Sequence, residues 1–255
     1  AMNAARLAGK IQRKNLGKIA SIDYKGAFNL VTNVDKESEK AILEIIAREF
    51  PDDQILAEES GARKATGKRR WLIDPLDGTT NYAHGYPFFS VSIGLEMEGE
   101  MIMGIGYNPT SDEMFSAVNG KGTYLNENKV SVSNTLQLEE SLLSTGFPPD
   151  TRHTGSDNML EFKTLTNKSH GVRRDGSAAL DLAFVACGRT EGFWEMKLAP
   201  WDIGAGSLLV TEAGGKVTNL EGDALDISTG HIVATNGKIH DQLVSALVEL
   251  KAEAR

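Results

Sequence analysis

The chain has little from which to build covalent cross-links or a zinc site. Its single cysteine, Cys187, cannot form an internal disulfide, and it lies in an apolar run typical of a small core residue. Among the histidines no pair has the spacing of zinc ligands, and His84 and His153 are predicted to lie in loops. A fold held together by disulfides or by structural zinc is therefore excluded.

The sequence also lacks a hydrophobic run long enough to cross a membrane, and its first residues do not form the apolar core of a secretory signal. Positive charge is in the minority, because 27 Lys and Arg residues stand against 35 Asp and Glu, for a net charge of −8. This balance argues against nucleic acid or membrane lipid as the main partner. We therefore expect a cytoplasmic protein with no nucleic-acid or membrane partner.

No linker rich in proline or serine, no low-complexity stretch and no internal repeat divides the 255 residues. With 40% hydrophobic and 24% charged residues, the composition is that of a compact soluble enzyme. We expect one domain with two lobes, an N-terminal α+β lobe over about 1–137 and a C-terminal α/β lobe over about 138–255.

Two helices are predicted in the N-terminal part of the chain. Residues 2–19 are amphipathic and basic, a pattern typical of a helix that covers a sheet. Residues 33–50 carry apolar side chains at helical spacing, and the acid that follows Thr32 predicts a capping box that involves Asp35. Between these helices, Lys25 lies in a polar stretch typical of a loop.

The rest of the chain alternates between strand and helix signals. From Phe88 to Ser133, alternating segments separated by Glu-Gly, Asn-Pro and Asn-Gly turns predict an antiparallel sheet. Beyond it, strand-like and helix-like pieces follow one another, with helices near 156–167 and near 176–187. This order predicts a C-terminal lobe of the βα type.

The most informative segment covers residues 71–82. Its apolar start predicts a buried strand that ends at Pro75, because proline cannot donate to a sheet ladder. Asp74 is thereby placed at the carboxyl end of the strand, and Asp77 follows with the Leu76 carbonyl between the two acids. Hard divalent cations prefer such an oxygen-rich pocket.

Local pattern alone leaves structural alternatives open. Asp-Pro and Asp-Gly are ordinary turn sequences, and Asp or Thr is an ordinary helix cap. The amides of Gly78 and Thr79 could simply be the first N–H groups of a helix, or they could point at a bound anion. Asp202 raises the same question, because it precedes an apolar run that ends in a Gly-Gly pair and so predicts a helix with Asp202 as its N-cap.

Taken together, these motifs resemble the signatures of the inositol monophosphatase family of magnesium-dependent phosphatases. Trp71–Tyr82 is similar to the first signature and Trp201–Gly215 to the second, and the acidic pair Glu58-Glu59 stands a short distance before the first. The resemblance runs over nearly the whole chain. It implies a mixed α+β and α/β fold, the layered α/β/α/β/α sandwich of the inositol monophosphatase and fructose-bisphosphatase type.

The resemblance implies a site with two or three Mg²⁺ ions. Glu58, Asp74 and the Leu76 carbonyl would hold one ion. Asp74, Asp77 and Asp202 would hold a second, and a weaker third ion would lie near Glu58.

The resemblance also implies catalytic and substrate-binding roles. Thr79, paired with Asp35, would orient or activate the attacking water, and Glu58 would support catalysis through the metal. The remaining positions fall into two sets. Phosphate would be held at Asp77 and by the amides of Gly78 and Thr79, and the polyol would face Gly176, Ser177, Ala178 and Glu195. Auxiliary positions are Glu59 and Lys25, the latter at the tip of a loop that folds over the site; a solvated surface lysine is the alternative for Lys25.

The expected reaction is hydrolysis of myo-inositol monophosphate to inositol and phosphate. No Cys, Ser-His or aspartyl-phosphate motif stands in a convincing context, which favours direct attack by a metal-activated water. The Gly-Thr-Thr-Asn-Tyr sequence favours the inositol branch over branches that carry Gly-Thr-Lys.

Two other functions compete with this prediction. Fructose-1,6-bisphosphatase or dual-specificity sugar phosphatase activity is one, and the pair Arg173-Arg174 could bind its second phosphate; a solvated pair in a polar loop is the alternative. A binding or regulatory role with the transcription machinery, as in some bacterial relatives, is the other. Membership of the family would further imply a homodimer and sensitivity to lithium.

Overall fold

The structure, a computed structural model, describes residues 1–18, 22–24, 30–148 and 157–253. Lys25 and His153 lie outside the described residues, so the loop roles expected for them stay predictions. No helix within the described ranges is both long enough and apolar enough to cross a membrane.

The helices of the described residues are α1 (Met2–Asn15), α2 (Asn33–Glu49), α3 (Thr79–Ala83), α4 (Met159–Lys168), α5 (Ala178–Ala186), α6 (Pro200–Glu212) and α7 (His240–Glu253), with a 3₁₀ turn at Leu138–Glu140. The strands are β1 (Ile22–Tyr24), β2 (Leu30–Thr32), β3 (Gln54–Ala57), β4 (Gly61–Arg63), β5 (Arg69–Asp77), β6 (Ser90–Met97), β7 (Glu100–Asn108), β8 (Glu113–Val118), β9 (Gly122–Leu125), β10 (Asn128–Val130), β11 (Leu142–Thr145), β12 (Gly171–Arg173), β13 (Gly192–Glu195), β14 (Lys216–Thr218) and β15 (Ile232–Thr235).

Two large sheets form the frame of the molecule. The first has eight strands in the order β10-β9-β8-β7-β6-β5-β3-β4, and the second has five in the order β12-β11-β13-β15-β14. The run from β5 through β10 is antiparallel throughout, which confirms the hairpin prediction for 88–133. In the second sheet β11 is parallel to both β12 and β13, whereas β15 is antiparallel to its two neighbours. A strand pair β1-β2 stands apart from both sheets.

Helices separate and cover these sheets. Helices α1 and α2 pack on the outer face of the eight-stranded sheet, through a core that includes Ile42, Trp71 and Ile93. Helices α5 and α6 fill the space between the two sheets, and the half-buried Cys187 packs against their core. Helices α4 and α7 cover the far face of the five-stranded sheet. The layered α/β/α/β/α sandwich is therefore confirmed.

The predicted helices are present, with bounds that differ by a few residues. The first ends at Asn15 rather than at residue 19, because Leu16 adopts an extended backbone there. Helix α2 carries the predicted capping box, in which Thr32 caps the helix and Asp35 accepts from the Thr32 backbone. Helices α4 and α5 occupy 159–168 and 178–186, close to the predicted 156–167 and 176–187.

The prediction that Pro75 ends its strand is wrong. Strand β5 continues through Pro75 to Asp77, and its pairing with β6 shifts register between Asp74, opposite Ser92, and Asp77, opposite Ser90. A bulge accommodates proline because the extra residue makes no ladder hydrogen bond. Because of this bulge, Asp74 and Asp77 lie on one continuous strand.

The predicted N-cap at Asp202 is also wrong, because the N-cap lies three residues earlier, at Ala199. Helix α6 starts at Pro200 with Ala199 as its N-cap, and Asp202 occupies the third helical position, where its carboxylate accepts from the Ala199 amide. Proline is favoured at the first helical position, since its missing N–H has no partner to lose there. Asp202 still caps the helix, but from inside it.

Helix α6 lies very close to the eight-stranded sheet. A Cβ added at Gly104 of β7 would lie 2.5 Å from the Ala205 carbonyl oxygen of α6. Only glycine allows that approach, because a backbone carbonyl cannot move aside as a side chain can. The contact fixes the start of α6, and with it Asp202, against the sheet that carries Asp74 and Asp77.

His240 is a buried histidine at the start of α7, with 1% of its surface exposed. Its two ring nitrogens each lie 3.0 Å from a hydroxyl oxygen, of Thr218 and of Thr235. Burial and then the charge of Lys216 lower the pKa of His240 to about 4, although Asp241 acts in the opposite direction. The native state therefore holds this ring in its neutral form at neutral pH.

This depressed pKa makes stability depend on pH. Below the ordinary histidine pKa of about 6.5, the unfolded chain takes up a proton that native His240 refuses, so stability is lost as the pH falls toward 4. The free energy of unfolding should fall by up to about 3 kcal/mol across that window because of this group. Denaturant unfolding of the wild type and of His240→Gln at several pH values measures the difference. The exposed His84, changed to Gln, is the matched control and should keep the wild-type slope, whereas an unchanged slope in His240→Gln would refute the assignment.

Candidate active site

A cleft of about 330 Å³ lies where the end of β5 meets the ends of β11 and β13 and the starts of α5 and α6. One wall is acidic and carries Asp74, Asp77 and Asp202, with Glu58 beside them. The opposite wall carries Glu195 and Arg174. The two walls present different chemistry to one small molecule.

The two acids of β5 are held by backbone amides. Asp74 is buried, with 2% of its surface exposed, and its Oδ1 accepts from the Leu76 amide at 2.9 Å. Asp77 is half-buried and reaches across to α5, where its Oδ2 accepts from the Ala179 amide at 2.8 Å and from the Ser177 hydroxyl. Asp77 thus caps a helix of the other layer, and the positive end of that helix favours its charged form.

Asp202 completes the acidic wall from α6. Its Oδ2 accepts from the Ala199 amide at 2.7 Å. Amides that hold a carboxylate in this way fix its orientation, as outer partners of metal ligands do.

These carboxyl groups raise one another's pKa. Burial, followed by the charges of Glu58, Asp77 and Asp202, raises the pKa of Asp74 well above its usual value. Burial and then Asp77 raise the pKa of Asp202 to about 8. Burial raises the pKa of Asp77 as well, against the hydrogen bonds from Ser177 and Ala179. A group of mutually repelling, desolvated acids is the environment that a cation stabilises most.

The donors of this wall fit a hard divalent cation by type. The site offers carboxylate oxygens and the Leu76 carbonyl. Such oxygen ligands suit Mg²⁺ better than they suit softer metals. Across the described ranges, however, no three His, Cys, Asp or Glu side chains already converge as a complete metal cage.

Behind the acidic wall, Thr79 and Asp35 form a hydrogen-bonded pair. The Thr79 hydroxyl lies 2.9 Å from Asp35 Oδ1 and 3.0 Å from the Leu76 carbonyl. Asp35 is fully buried, and its other oxygen accepts from the Thr32 amide at 2.9 Å and hydroxyl at 2.6 Å. One carboxylate therefore caps α2 with one oxygen and contacts Thr79 with the other, so the capping and the contact predicted for Asp35 coexist.

The segment that joins these acids to α3 is tightly braced. Gly78 has φ 92°, a left-handed conformation, and a Cβ there would lie 3.1 Å from the carbonyl oxygens of Phe88 and Gly176. Asn81 donates to the carbonyls of Phe88 and Asp175, both at 2.7 Å. This bracing brings Gly78 and Gly176, which are far apart in sequence, to the same side of the cleft.

The opposite wall is built around Glu195 at the end of β13. Burial and then the charges of Asp202 and Asp77 raise the pKa of Glu195 to about 8, whereas Arg174 lowers it. The Arg174 guanidinium lies over the Phe147 ring, 6.0 Å from its centre. Acidic, basic and apolar groups thus share a wall of the size and polarity suited to a hydroxylated ring.

Most residues predicted from the sequence line this cleft, namely Glu58, Asp74, Leu76, Asp77, Gly78, Thr79, Gly176, Ser177, Ala178, Glu195 and Asp202. Asp35 lies behind Thr79 rather than in the lining. Glu59 lies elsewhere, since its amide donates to Glu39 and it lines a neighbouring groove on α2. Of the two arginines, Arg174 lines the cleft.

Sequence reasoning missed several residues of the site. Ser90 lies 3.3 Å from Ser177, beside Asp77, and its place opposite Asp77 in the ladder follows only from strand register. Gly146 lines the cleft without any local signal. Asp181 is a buried acid on α5, and burial followed by the charges of three neighbouring acids raises its pKa well above its usual value. An acid within an apolar helix was the signal that could have identified Asp181.

Comparisons with known proteins agree with this geometry. A model of the inositol monophosphatase family matches residues 1–252. An inositol-1-monophosphatase from Synechocystis is 50% identical over 233 residues, which cover 91% of this chain and 81% of that protein. A solved structure of the inositol monophosphatase from Anabaena (Nostoc) has a TM-score of 0.90 at 49% identity, covering 98% of this chain and 94% of that one.

A relative with a different name also matches over nearly the whole chain. A protein from Pseudomonas aeruginosa called Nus factor SuhB is 40% identical over 254 residues, which cover 97% of this chain and 94% of that protein. All of these matches span both signatures and both walls of the cleft. The chain belongs to the inositol monophosphatase family and is a phosphatase, a phosphoric monoester hydrolase.

Proposed function

We propose that the protein hydrolyses myo-inositol monophosphate to inositol and phosphate with Mg²⁺ as cofactor. The observation that carries the proposal is one cleft in which a cluster of mutually repelling acids faces a wall suited to a polyol. The names of the Synechocystis and Anabaena relatives support inositol monophosphate as the substrate.

In this proposal two or three Mg²⁺ ions bind the acidic wall. One is held by Glu58, Asp74 and the Leu76 carbonyl, and another by Asp74, Asp77 and Asp202, with a weaker third near Glu58. Bound cations would neutralise phosphoryl oxygens, stabilise the leaving alkoxide and lower the pKa of the attacking water. Backbone amides already fix the carboxylates of Asp74, Asp77 and Asp202, so little reorganisation of these three groups opposes binding.

Thr79 and Asp35 would prepare the attacking water. A hydroxyl has one hydrogen, and the charged Asp35 carboxylate is a stronger acceptor for it than the Leu76 carbonyl. The lone pairs of Thr79 Oγ1 are then left to accept a hydrogen bond from water and to aim its oxygen at phosphorus. Burial raises the pKa of Asp35, which makes its carboxylate a stronger acceptor for the Thr79 hydroxyl.

The remaining residues would bind the two ends of the substrate. Amides at Gly78 and Thr79 hold phosphate oxygens, and Glu195 accepts hydrogen bonds from ring hydroxyls beside Gly176, Ser177 and Ala178.

Phosphate release from inositol 1-phosphate at neutral pH, with and without Mg²⁺, tests this proposal. Turnover that needs Mg²⁺, and that exceeds turnover of fructose 1,6-bisphosphate and adenosine 3′,5′-bisphosphate, is the expected result. Preference for a bisphosphate would assign the enzyme to another substrate class within the same superfamily. Turnover that is unaffected by chelation would contradict the cofactor.

Hydrolysis of fructose 1,6-bisphosphate is the second candidate, and the position of Arg174 favours it. Arg174 lines the wall opposite the acids, where the second phosphate of a bisphosphate substrate would lie. Arg174→Gln should then raise the KM for the bisphosphate about tenfold, since a charge-assisted bond is worth about 1.5–3 kcal/mol. Arg173→Gln, next to it at the exposed end of β12, is the matched control.

Three further properties are proposed from kinship alone. A homodimer, with lithium inhibition of its sites, is expected of the family, and sedimentation velocity of the purified chain tests the dimer. A binding or regulatory role with the transcription machinery is supported by the name of the Pseudomonas aeruginosa relative, Nus factor SuhB. Because the predicted acids Glu58, Asp74, Asp77 and Asp202 all line the cleft, such a role would add to catalysis. An Asp77→Asn variant that loses turnover but still binds the transcription machinery would separate the two.

A further inference from the structure

Asn158 connects the two strands that end at the polyol wall. It precedes α4 and is buried, with 1% of its surface exposed. Its Nδ2 donates to Thr145 Oγ1 at 2.8 Å and to the Gly146 carbonyl at 2.6 Å. Its Oδ1 accepts from Trp194 Nε1 at 2.7 Å. Thr145 and Trp194 are themselves joined, because the Thr145 hydroxyl donates to the Trp194 carbonyl at 2.6 Å.

The chemistry of these partners leaves one arrangement. An indole N–H can only donate, so the Asn158 oxygen faces Trp194 and both amide hydrogens face β11. The Thr145 hydroxyl has one hydrogen and gives it to Trp194, so it receives one from Asn158. Every side-chain hydrogen of the three residues that can be donated has an acceptor, and a network satisfied in this way is rigid and costly to disturb.

The residues next to this network line the cleft. Gly146 follows Thr145, and Glu195 follows Trp194. A Cβ added at Gly146 would lie 2.2 to 2.3 Å from the carboxylate atoms of Glu195, so the Glu195 carboxylate rests directly on the Gly146 backbone. A small change in the spacing of β11 and β13 would therefore move Glu195.

Asn158 also has an unusual backbone for a residue other than glycine. Its φ of 65° lies in the left-handed region, which Asn tolerates better than most residues. The side chain and the backbone at this position both suit asparagine.

We infer that Asn158 is a positioning residue, which holds Gly146 and Glu195 in place and thereby sets the preference for leaving groups that carry hydroxyls. The inference rests on the proposed function, because Glu195 is there assigned to the polyol. Asn158 itself touches no substrate. Its effect is confined to the polyol wall, since its bonds reach none of the acids on the opposite wall.

The test compares two phosphate esters. Inositol 1-phosphate has a polyol leaving group. The aryl leaving group of 4-nitrophenyl phosphate has no hydroxyl that could donate a hydrogen bond to Glu195. Asn158→Gly removes the side chain and keeps the left-handed backbone at ease. It should lower the ratio of kcat/KM for inositol 1-phosphate to that for the aryl ester about tenfold, mostly through KM, since about 1.4 kcal/mol of misplaced hydrogen bonding corresponds to tenfold.

Asn236 provides the matched control. It is also buried, with 1% exposure, and its side chain makes four hydrogen bonds, to Ser133, Thr135, Lys238 and Ile239, away from the cleft. Asn236→Gly should lower stability by a similar amount and leave the ratio of the two esters unchanged. An equal drop of the ratio in both variants would show a general loss of stability and overturn the inference.

A double-mutant cycle ties the effect to Glu195. In a Glu195→Ala background, Asn158→Gly should change the ratio by less than about twofold, because the group that it positions is gone. A full tenfold change in that background would overturn the inference. If Asn158→Gly does not fold, Asn158→Asp takes its place, since it keeps the acceptor for Trp194 and loses both donors to β11. No turnover of either ester by the wild type would overturn the proposed function and this inference with it, whereas an unchanged ratio in a turning-over enzyme overturns the inference alone.

Discussion

Asp77→Asn is expected to lower kcat/KM for inositol 1-phosphate by about a thousandfold, because it removes a charge from the proposed metal wall. The protein should remain folded, since an amide oxygen can still accept from the Ala179 amide and from the Ser177 hydroxyl. Burial raises the pKa of Asp77, so the neutral side chain relieves repulsion among the acids. In a chelating buffer the variant should therefore be at least as stable as the wild type.

Adding Mg²⁺ separates the two proteins further. A cation that binds only the native state raises Tm, so the wild type should gain stability on addition of Mg²⁺ and the variant should gain much less. Asp202→Asn is expected to behave alike, because Asp202 lies on the same wall. Asp223→Asn removes one carboxylate from an exposed loop and is the matched control. Turnover above a tenth of the wild-type value in both Asp77→Asn and Asp202→Asn would refute the metal assignment.

Most of the acidic wall could be predicted because its acids stand at the ends of local elements. Asp74 and Asp77 lie within one strand, and Asp202 lies in the first turn of a helix that the chain marks with proline and glycine. The errors arose where a second element decides the outcome. Pro75 continues its strand because β6 accepts a bulge opposite it, and nothing within the segment itself reports the register of β6.

The polyol wall was predicted less completely for a related reason. Glu195 was recognised by resemblance, whereas Gly146 and Asn158 carry no motif of their own. Asn158 bonds to Trp194, 36 residues away along the chain, and to Gly146, 12 residues away. The parallel pairing of β11 and β13 brings these two partners together, and no periodicity in the sequence indicates it. The acids of the cleft stand in continuous signatures and were therefore identified by resemblance, whereas tertiary contacts decide the fit of the neutral part of a substrate.

Thr79→Val should lower kcat for inositol 1-phosphate about a hundredfold or more, with little change in KM, if Thr79 aims and activates the attacking water. Valine keeps the shape of threonine and removes only the hydroxyl. The loss should leave Asp35 Oδ1 with one acceptor site unfilled, which lowers the free energy of unfolding by about 1 kcal/mol. Measured kcat, KM and denaturant unfolding give all three quantities.

Thr79→Ser and Asp35→Asn decide whether the pair acts as proposed. Thr79→Ser restores the hydroxyl and should recover most of the turnover, which a purely structural role of the methyl group would not allow. Asp35→Asn should lose activity together with stability, because its other oxygen caps α2 through the Thr32 amide and hydroxyl. Thr79 variants therefore test the chemistry, and the Asp35 variant tests its connection to the fold. A Thr79→Val enzyme with wild-type kcat would remove Thr79 from the mechanism and leave Asp35 with its capping role alone.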